Sequence, residues 1–335
     1  LNKPLLTAAL VLSAGMIYAK LRQPRFSYPD KWAEAGLPEN LRISRKGLRP
    51  RDRLPVCEPD LSTPDRDKLY VTWFGHSSVL VQMCGLNILI DPMFSEYSSP
   101  VPAKMLRRFS RPSVGVSDLP HIDAVLLTHD HYDHLDKRTV RALMPKSDRF
   151  IVSRGVERHL RKWGVPDNKI TSLKWWESAT VGDVEITCTP SRHFSGRGPL
   201  DRNTVQWCSF VLRGGGHRIF DSGDGSIGGH FDEIRARFGG FDLALMECGQ
   251  YNHNWHYSHL YPEESVSAAM RLGTALAMPI HWGAFVLSNH GWDDPPERFT
   301  REAEKRGLKI TTPHLCETVC IDDLPQTARW WRKYM

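Results

Sequence analysis

Seven cysteines in 335 residues, odd in number and with no Cys-x-x-Cys pair, exclude both a disulfide framework and a structural zinc knuckle. No internal repeat or low-complexity tract interrupts the chain. The longest apolar run, residues 5–19, is about fifteen residues, short of the ~20 that a bilayer-spanning helix requires. Residues 54–335 have no basic surplus, with 33 basic against 34 acidic side chains, so a groove for nucleic acid is not expected.

What is present is ordinary globular composition, 41% hydrophobic and 24% charged, enough for a substantial core. The formal charge of +6 is localised: residues 20–53 carry ten Lys/Arg against Asp30, Glu34, Glu39 and Asp52. That basic arm reads as a solvated linker or as a membrane-surface patch. Ahead of it, the apolar run suits a signal-peptide core, a short anchor or a helix lying in the interface. The basic flank on its C-terminal side keeps the following domain cytoplasmic by the positive-inside tendency, and no small-x-small cleavage site follows Leu12. An uncleaved membrane tether is therefore expected, an exported form being the alternative. The division is residues 1–19 as hydrophobic segment, 20–55 as basic arm and 56–335 as the main domain, with oligomeric state open and a homodimer allowed.

The run Thr128-His129-Asp130-His131-Tyr132-Asp133-His134 packs three imidazoles and two carboxylates into a few residues. His129 and His131 are two apart, so in extended chain their side chains point the same way and can share one ion. Asp133 and His134 then serve a second. Imidazole nitrogen with carboxylate oxygen is the donor set of zinc and its transition-metal neighbours, whereas calcium or magnesium asks for oxygen alone. The histidines follow residues 122–128, which read as a short buried strand, and precede Asp136, a cap for a helix over 137–144 that Pro145 stops.

Two ions need further ligands, and candidates follow other predicted strands. His193 comes after residues 184–190, Asp224 lies in the glycine-containing turn after 217–220, and His281 ends 275–280. Together with Gly75-His76-Ser77-Ser78, Asn87-Ile88-Leu89-Ile90-Asp91-Pro92, Pro190-Ser191-Arg192-His193, Phe220-Asp221-Ser222-Gly223-Asp224 and Pro279-Ile280-His281-Trp282-Gly283, the HxHxDH run resembles the metallo-β-lactamase fold superfamily. Within it the chain is most similar to the N-acyl-phosphatidylethanolamine-hydrolysing phospholipase D branch, over about residues 68–320.

The resemblance implies an α/β fold, an αββα sandwich of two mixed β-sheets flanked by helices. It implies two Zn2+, with Mn2+ or Fe2+ as alternatives: His129, His131 and His193 on one, Asp133, His134 and His281 on the other, and Asp224 bridging. Asp91 is expected to support a ligand histidine, and His76 to be a core residue. His259 matches a branch histidine ahead of Pro262-Glu263-Glu264, although the segment 251–259 is richer in histidine than that pattern. Asp133, Asp224 and His259 are thus the catalytic candidates.

Arg192, Arg197 and Trp282 are candidates for holding substrate, the guanidinium groups by paired hydrogen bonds to a phosphate. Tyr251, Trp255 and Tyr257 could line an acyl groove, and the loop from Met93 to Phe109 with Arg107, Arg108 and Arg111 could touch lipid. Two dications against Asp133, Asp224 and a hydroxide leave a small positive balance for an anionic phosphodiester. The implied activity is a zinc-dependent phosphodiesterase of phospholipase D type acting on a phospholipid. Alternatives are a hydrolase of a soluble substrate, such as a lactonase, or a non-catalytic envelope-associated regulator.

Overall fold

The computed structural model describes residues 25–32, 47–62, 65–324 and 328–335. The hydrophobic segment 1–19 and much of the basic arm lie outside them.

Strand formation follows period-2 alternation in apolar, β-branched stretches. The first sheet contains β1 (Tyr70–Trp73), β2 (Val79–Met83), β3 (Leu86–Ile90), β4 (Ile122–Leu127), β5 (Ser147–Ser153), β6 (Ile170–Leu173) and β13 (Thr318–Cys320), in the order β13-β1-β2-β3-β4-β5-β6. β1 to β3 form an antiparallel meander, and β3 to β6 run parallel. The second sheet contains β7 (Ser178–Val181), β8 (Val184–Thr189), β9 (Ser209–Gly214), β10 (His217–Asp221), β11 (Phe241–Glu247) and β12 (Thr274–Ile280), in that order across the sheet. It repeats the plan, antiparallel from β7 to β10 and parallel from β10 to β12.

Alternation decides which face each side chain joins. Val79, Val81, Ile88, Ile90 and Ile151 turn into the core between the sheets, with Ile186, Leu212 and Ile219 from the other side. Leu80, Leu89, Val125, Leu127, Phe150 and Val152 turn outward and are covered by α1 (Lys137–Leu143) and α2 (Glu157–Trp163), through Val140, Leu143, Leu160 and Trp163. Each such side chain, fully buried, contributes roughly 1.5–3 kcal/mol. The second sheet is covered by α3 (His230–Phe238), α4 (Pro262–Arg271) and α5 (Asp294–Arg306), which bury Ile234, Val266 and Phe299. This is the expected αββα sandwich.

The described parts of the arm pack on the body. Phe26 N–H donates to the Asn203 carbonyl at 2.7 Å, Lys31 pairs with Glu233, and Tyr28 meets Trp207 edge-on. Among the described residues, no helix is long and apolar enough to cross a membrane.

Candidate metal centre

The carboxyl ends of β3, β4, β8, β10, β11 and β12 converge, and each is followed by a side chain of the candidate site. This is where parallel layers leave backbone and side chains free to meet a ligand. Asp136 accepts from the N–H groups of Arg138 and Thr139 to start α1, as its position predicts, and so fixes the exit of the His129–His134 turn. Arg197 fastens the same turn by donating to the carbonyls of Asp130 (2.7 Å) and Leu135 (2.8 Å).

Two clusters form. In one, His129 Nε2 and His193 Nε2 lie 2.9 and 3.1 Å from His131 Nδ1, with Asp224 Oδ2 at 3.8 Å from His129 and 3.7 Å from His193. In the other, Asp133 Oδ2 is 3.5 Å from both His134 Nε2 and His281 Nε2, which are 3.3 Å apart. Asp224 touches this cluster too, at 3.1 Å from His134 and 3.3 Å from His281. It is the one carboxylate common to both.

The outer nitrogens fix the tautomers. His193 Nδ1 donates to the Ser258 carbonyl at 2.7 Å, His134 Nδ1 to Asp91 at 2.7 Å, and His281 Nδ1 faces the Gly249 carbonyl and Glu247, each at 3.3 Å. Thr128 Oγ1 donates to Asp91, so it accepts from His129 Nδ1. Whenever one of these four rings is neutral it presents its Nε2 lone pair inward, and His131 presents its Nδ1. Lone pairs converging at about 3 Å repel unless a cation lies among them. Tetrahedral zinc with bonds of roughly 2.0–2.1 Å sets its ligands about 3.3 Å apart, so the residues fit such an ion.

Electrostatics divides the clusters. Burial, reinforced by His134 and His131, holds His129 well below the ordinary imidazole range, and burial likewise lowers His131 and His193. Burial also opposes charge on His134 and His281, but the carboxylates win: Asp224 and Asp133 raise His134 far above the usual value, and Asp224, Asp133 and Glu247 raise His281 to about 10. Asp133 and Asp224 resist burial because His134 stabilises both as anions, well below the usual carboxylate range.

Backbone geometry is also specialised. His76, Asp91 and His281 adopt left-handed φ values of 56°, 39° and 68°, each costing about 1–3 kcal/mol and sustained by surrounding bonds. His76 N–H donates to the Trp282 carbonyl and the His76 carbonyl accepts from His281 N–H, stitching the two sheets together at the site. His76 does more than fill the core, since its Nε2 meets Asp133 at 2.8 Å.

Other candidates are placed differently from expectation. Arg192 is buried; it donates to the Ile227 carbonyl at 2.7 Å and lies between Tyr28 and Tyr257, so it braces the loop after Asp224. Arg197 spends its donors on the turn already described. Trp282 packs against Trp73, Trp330 and Trp331 beneath the sheets. Tyr251 is buried with its hydroxyl on Asp294, whereas Trp255 and Tyr257 are exposed. Neither buried ring reaches the surface as an acyl groove would need.

Glu247, at the end of β11, escaped the sequence reading. Fully buried, it accepts from Gly225 N–H (2.6 Å), Leu260 N–H (3.2 Å) and His259 Nδ1 (2.9 Å), besides facing His281. His259 stacks on His281 with ring centroids 5.4 Å apart. The available signal was an acid terminating the apolar run 243–246. Partial exposure of His131, Tyr132 and Asp133 opens the centre to solvent, beside Phe194, whose ring is 4.6 Å from His131.

The family model for a beta-lactamase superfamily domain matches residues 86–282. An uncharacterized protein of Mycobacterium tuberculosis (strain ATCC 25618 / H37Rv) is 39% identical over 288 residues, 85% of this chain and 77% of that one. The mitochondrial N-acyl-phosphatidylethanolamine-hydrolyzing phospholipase D of Saccharomyces cerevisiae is 36% identical over 266 residues, 76% of this chain and 56% of that protein. Among solved structures, an isothiocyanate hydrolase from Delia radicum gut bacteria superposes with a TM-score of 0.60 at 23% identity, covering 75% of this chain and 98% of that one. That likeness speaks for the fold.

Proposed function

Because the chain belongs to the metallo-β-lactamase superfamily of metal-dependent hydrolases, in its N-acyl-phosphatidylethanolamine-hydrolysing phospholipase D-like branch, we propose that it cleaves a lipid phosphodiester, N-acyl-phosphatidylethanolamine or a close relative. The observation that carries the reading is the pair of N/O clusters joined through Asp224. His129, His131 and His193 would hold one ion and Asp133, His134 and His281 the other, with Asp224 within reach of both. Zinc is the metal most consistent with these donors, and when bound the two ions supply Lewis acidity and an acidified water.

The protein's own residues do the rest. Asp91 and Thr128 hold His134 and His129 with their Nε2 lone pairs inward, and Glu247 does the same for His281. Water oxygen bonds to phosphorus as the bond from phosphorus to the ethanolamide oxygen breaks; His259 in its imidazolium form, Nδ1–H anchored by Glu247, hands its Nε2 proton to the departing alkoxide, and the proton released by the attacking water restores it. Phe194 and the exposed Trp255 and Tyr257 give the approach an apolar wall suited to acyl chains. The segment 1–19 and the basic arm then hold the enzyme at the membrane that carries its substrate.

Metal-loaded protein should convert detergent-dispersed N-acyl-phosphatidylethanolamine to phosphatidic acid and N-acylethanolamine, with activity lost on chelation and restored by zinc. Asp224→Asn should lower turnover by more than the roughly 10–100-fold typical of residues outside the ligand shell, with the fold retained. Activity confined to a soluble lactone or phosphodiester would refute the lipid assignment.

A further inference from the structure

Arg108, whose guanidinium lies over the Phe285 ring, borders an open cleft of about 420 Å3. The charged lining of this cleft is entirely arginine: Arg49 and Arg53 from the end of the arm, and Arg107, Arg108 and Arg111 from the loop after β3. Glu96 lies nearby and pairs with Arg107 and Arg111, leaving the cleft with a large positive surplus. Arg49 is occupied by the carbonyl of Arg107 at 2.9 Å. Arg53 is exposed at the rim.

Arg108 stands apart from the other four. It is only 5% exposed, yet its Nε and both terminal nitrogens have no hydrogen-bond partner among the described residues. Its guanidinium lies 5.0 Å over the Phe285 ring, a contact that offsets only part of the cost of leaving water. Burial lowers it to about 10, so it stays charged at neutral pH. Arg108 and Arg111 also line an adjoining cleft with Arg138, where Glu96 is the carboxylate. Five idle donors on one buried cation, amid other cations, describe a site short of an anion.

We propose that this arginine cleft binds a phosphate-class anion, with Arg108 as its buried counter-charge and Arg53 closing the rim. A guanidinium fork matches two oxygens of a tetrahedral oxyanion, and several forks around one pocket favour a dianion over a single carboxylate. The site shares no residue with either metal cluster and does not depend on the phosphodiester reading. The same chemistry belongs to free phosphate and to a phospholipid head group.

Titrating inorganic phosphate into the metal-loaded full chain, against sodium chloride of matched ionic strength, tests the site by calorimetry and thermal melting. Saturable binding is expected, weakened at least tenfold in Arg108→Leu and in Arg53→Gln. Arg108→Leu should also melt higher than the parent without phosphate, because an apolar side chain replaces an unpaired buried charge. If that variant fails to fold, the exposed Arg53→Gln carries the test. Absence of saturable binding, or equal binding by parent and variants because phosphate sits on the metals alone, would overturn the proposal. Phosphatidylcholine vesicles with and without phosphatidic acid separate the sources: binding that needs phosphatidic acid and that free phosphate displaces identifies a head group. Phosphate binding with no vesicle binding identifies a soluble anion.

Discussion

Single carboxylates set the protonation pattern of the centre. Glu247 accepts from two backbone amides and meets two imidazole N–H groups, a role that an amide cannot copy because its NH2 would face donors. Glu247→Gln should therefore cost about 10–100-fold in turnover and also lower the melting temperature, since the buried donors lose an acceptor, as steady-state kinetics and calorimetry would read. Away from the metals, His230 is buried at the start of α3 and held down to about 3, chiefly by burial and then by Arg271 and Arg192. The unfolded chain takes up that proton near pH 6.5 and the folded one only near 3, so stability is complete above 6.5 and falls as pH drops through the window between. His230→Leu should flatten the dependence of unfolding free energy on pH in that window by about 1.4 kcal/mol per unit, measured by denaturant titration.

At the scale of elements, the centre depends on how closely strand ends approach. A Cβ on Gly249, just past β11, would lie 2.1 Å from the His281 carbonyl oxygen, and one on Gly223, at φ +52°, would lie 2.4 Å from that of Cys208. Gly249→Ala must push His281 aside by about an ångström, and displacement of that size costs on the order of 100-fold in rate. Activity within a few-fold of the parent would show that the β11 and β12 ends can separate without harm. The elements were legible because apolar alternation and turn residues agree: the expected strand over 122–128 ends at Leu127 and the helix after Asp136 starts at Lys137. The ligand candidates were legible because they follow strands. Side-chain direction was not. Trp282 and Arg192 flank ligands in sequence yet turn into tryptophan packing and loop bracing, and nothing in a linear pattern states which neighbour a side chain meets. Glu247 was missed because one acid after an apolar run resembles any strand end.

Across the whole molecule, two half-sheets of like plan bring six strand ends to one edge, and the His76 bridge to His281 and Trp282 ties them together. The arm, where described, leans on the second sheet's loops through Phe26 and Lys31, and its end supplies Arg49 and Arg53 to the arginine cleft. The central claim is that water attacks phosphorus, and isotope-labelled water tests it most directly. Hydrolysis of N-acyl-phosphatidylethanolamine in H2(18)O by zinc-loaded protein should place one heavy oxygen in phosphatidic acid and none in N-acylethanolamine, read by mass spectrometry. Label in the N-acylethanolamine or in a released fatty acid, or no phosphatidic acid at all, would contradict the account.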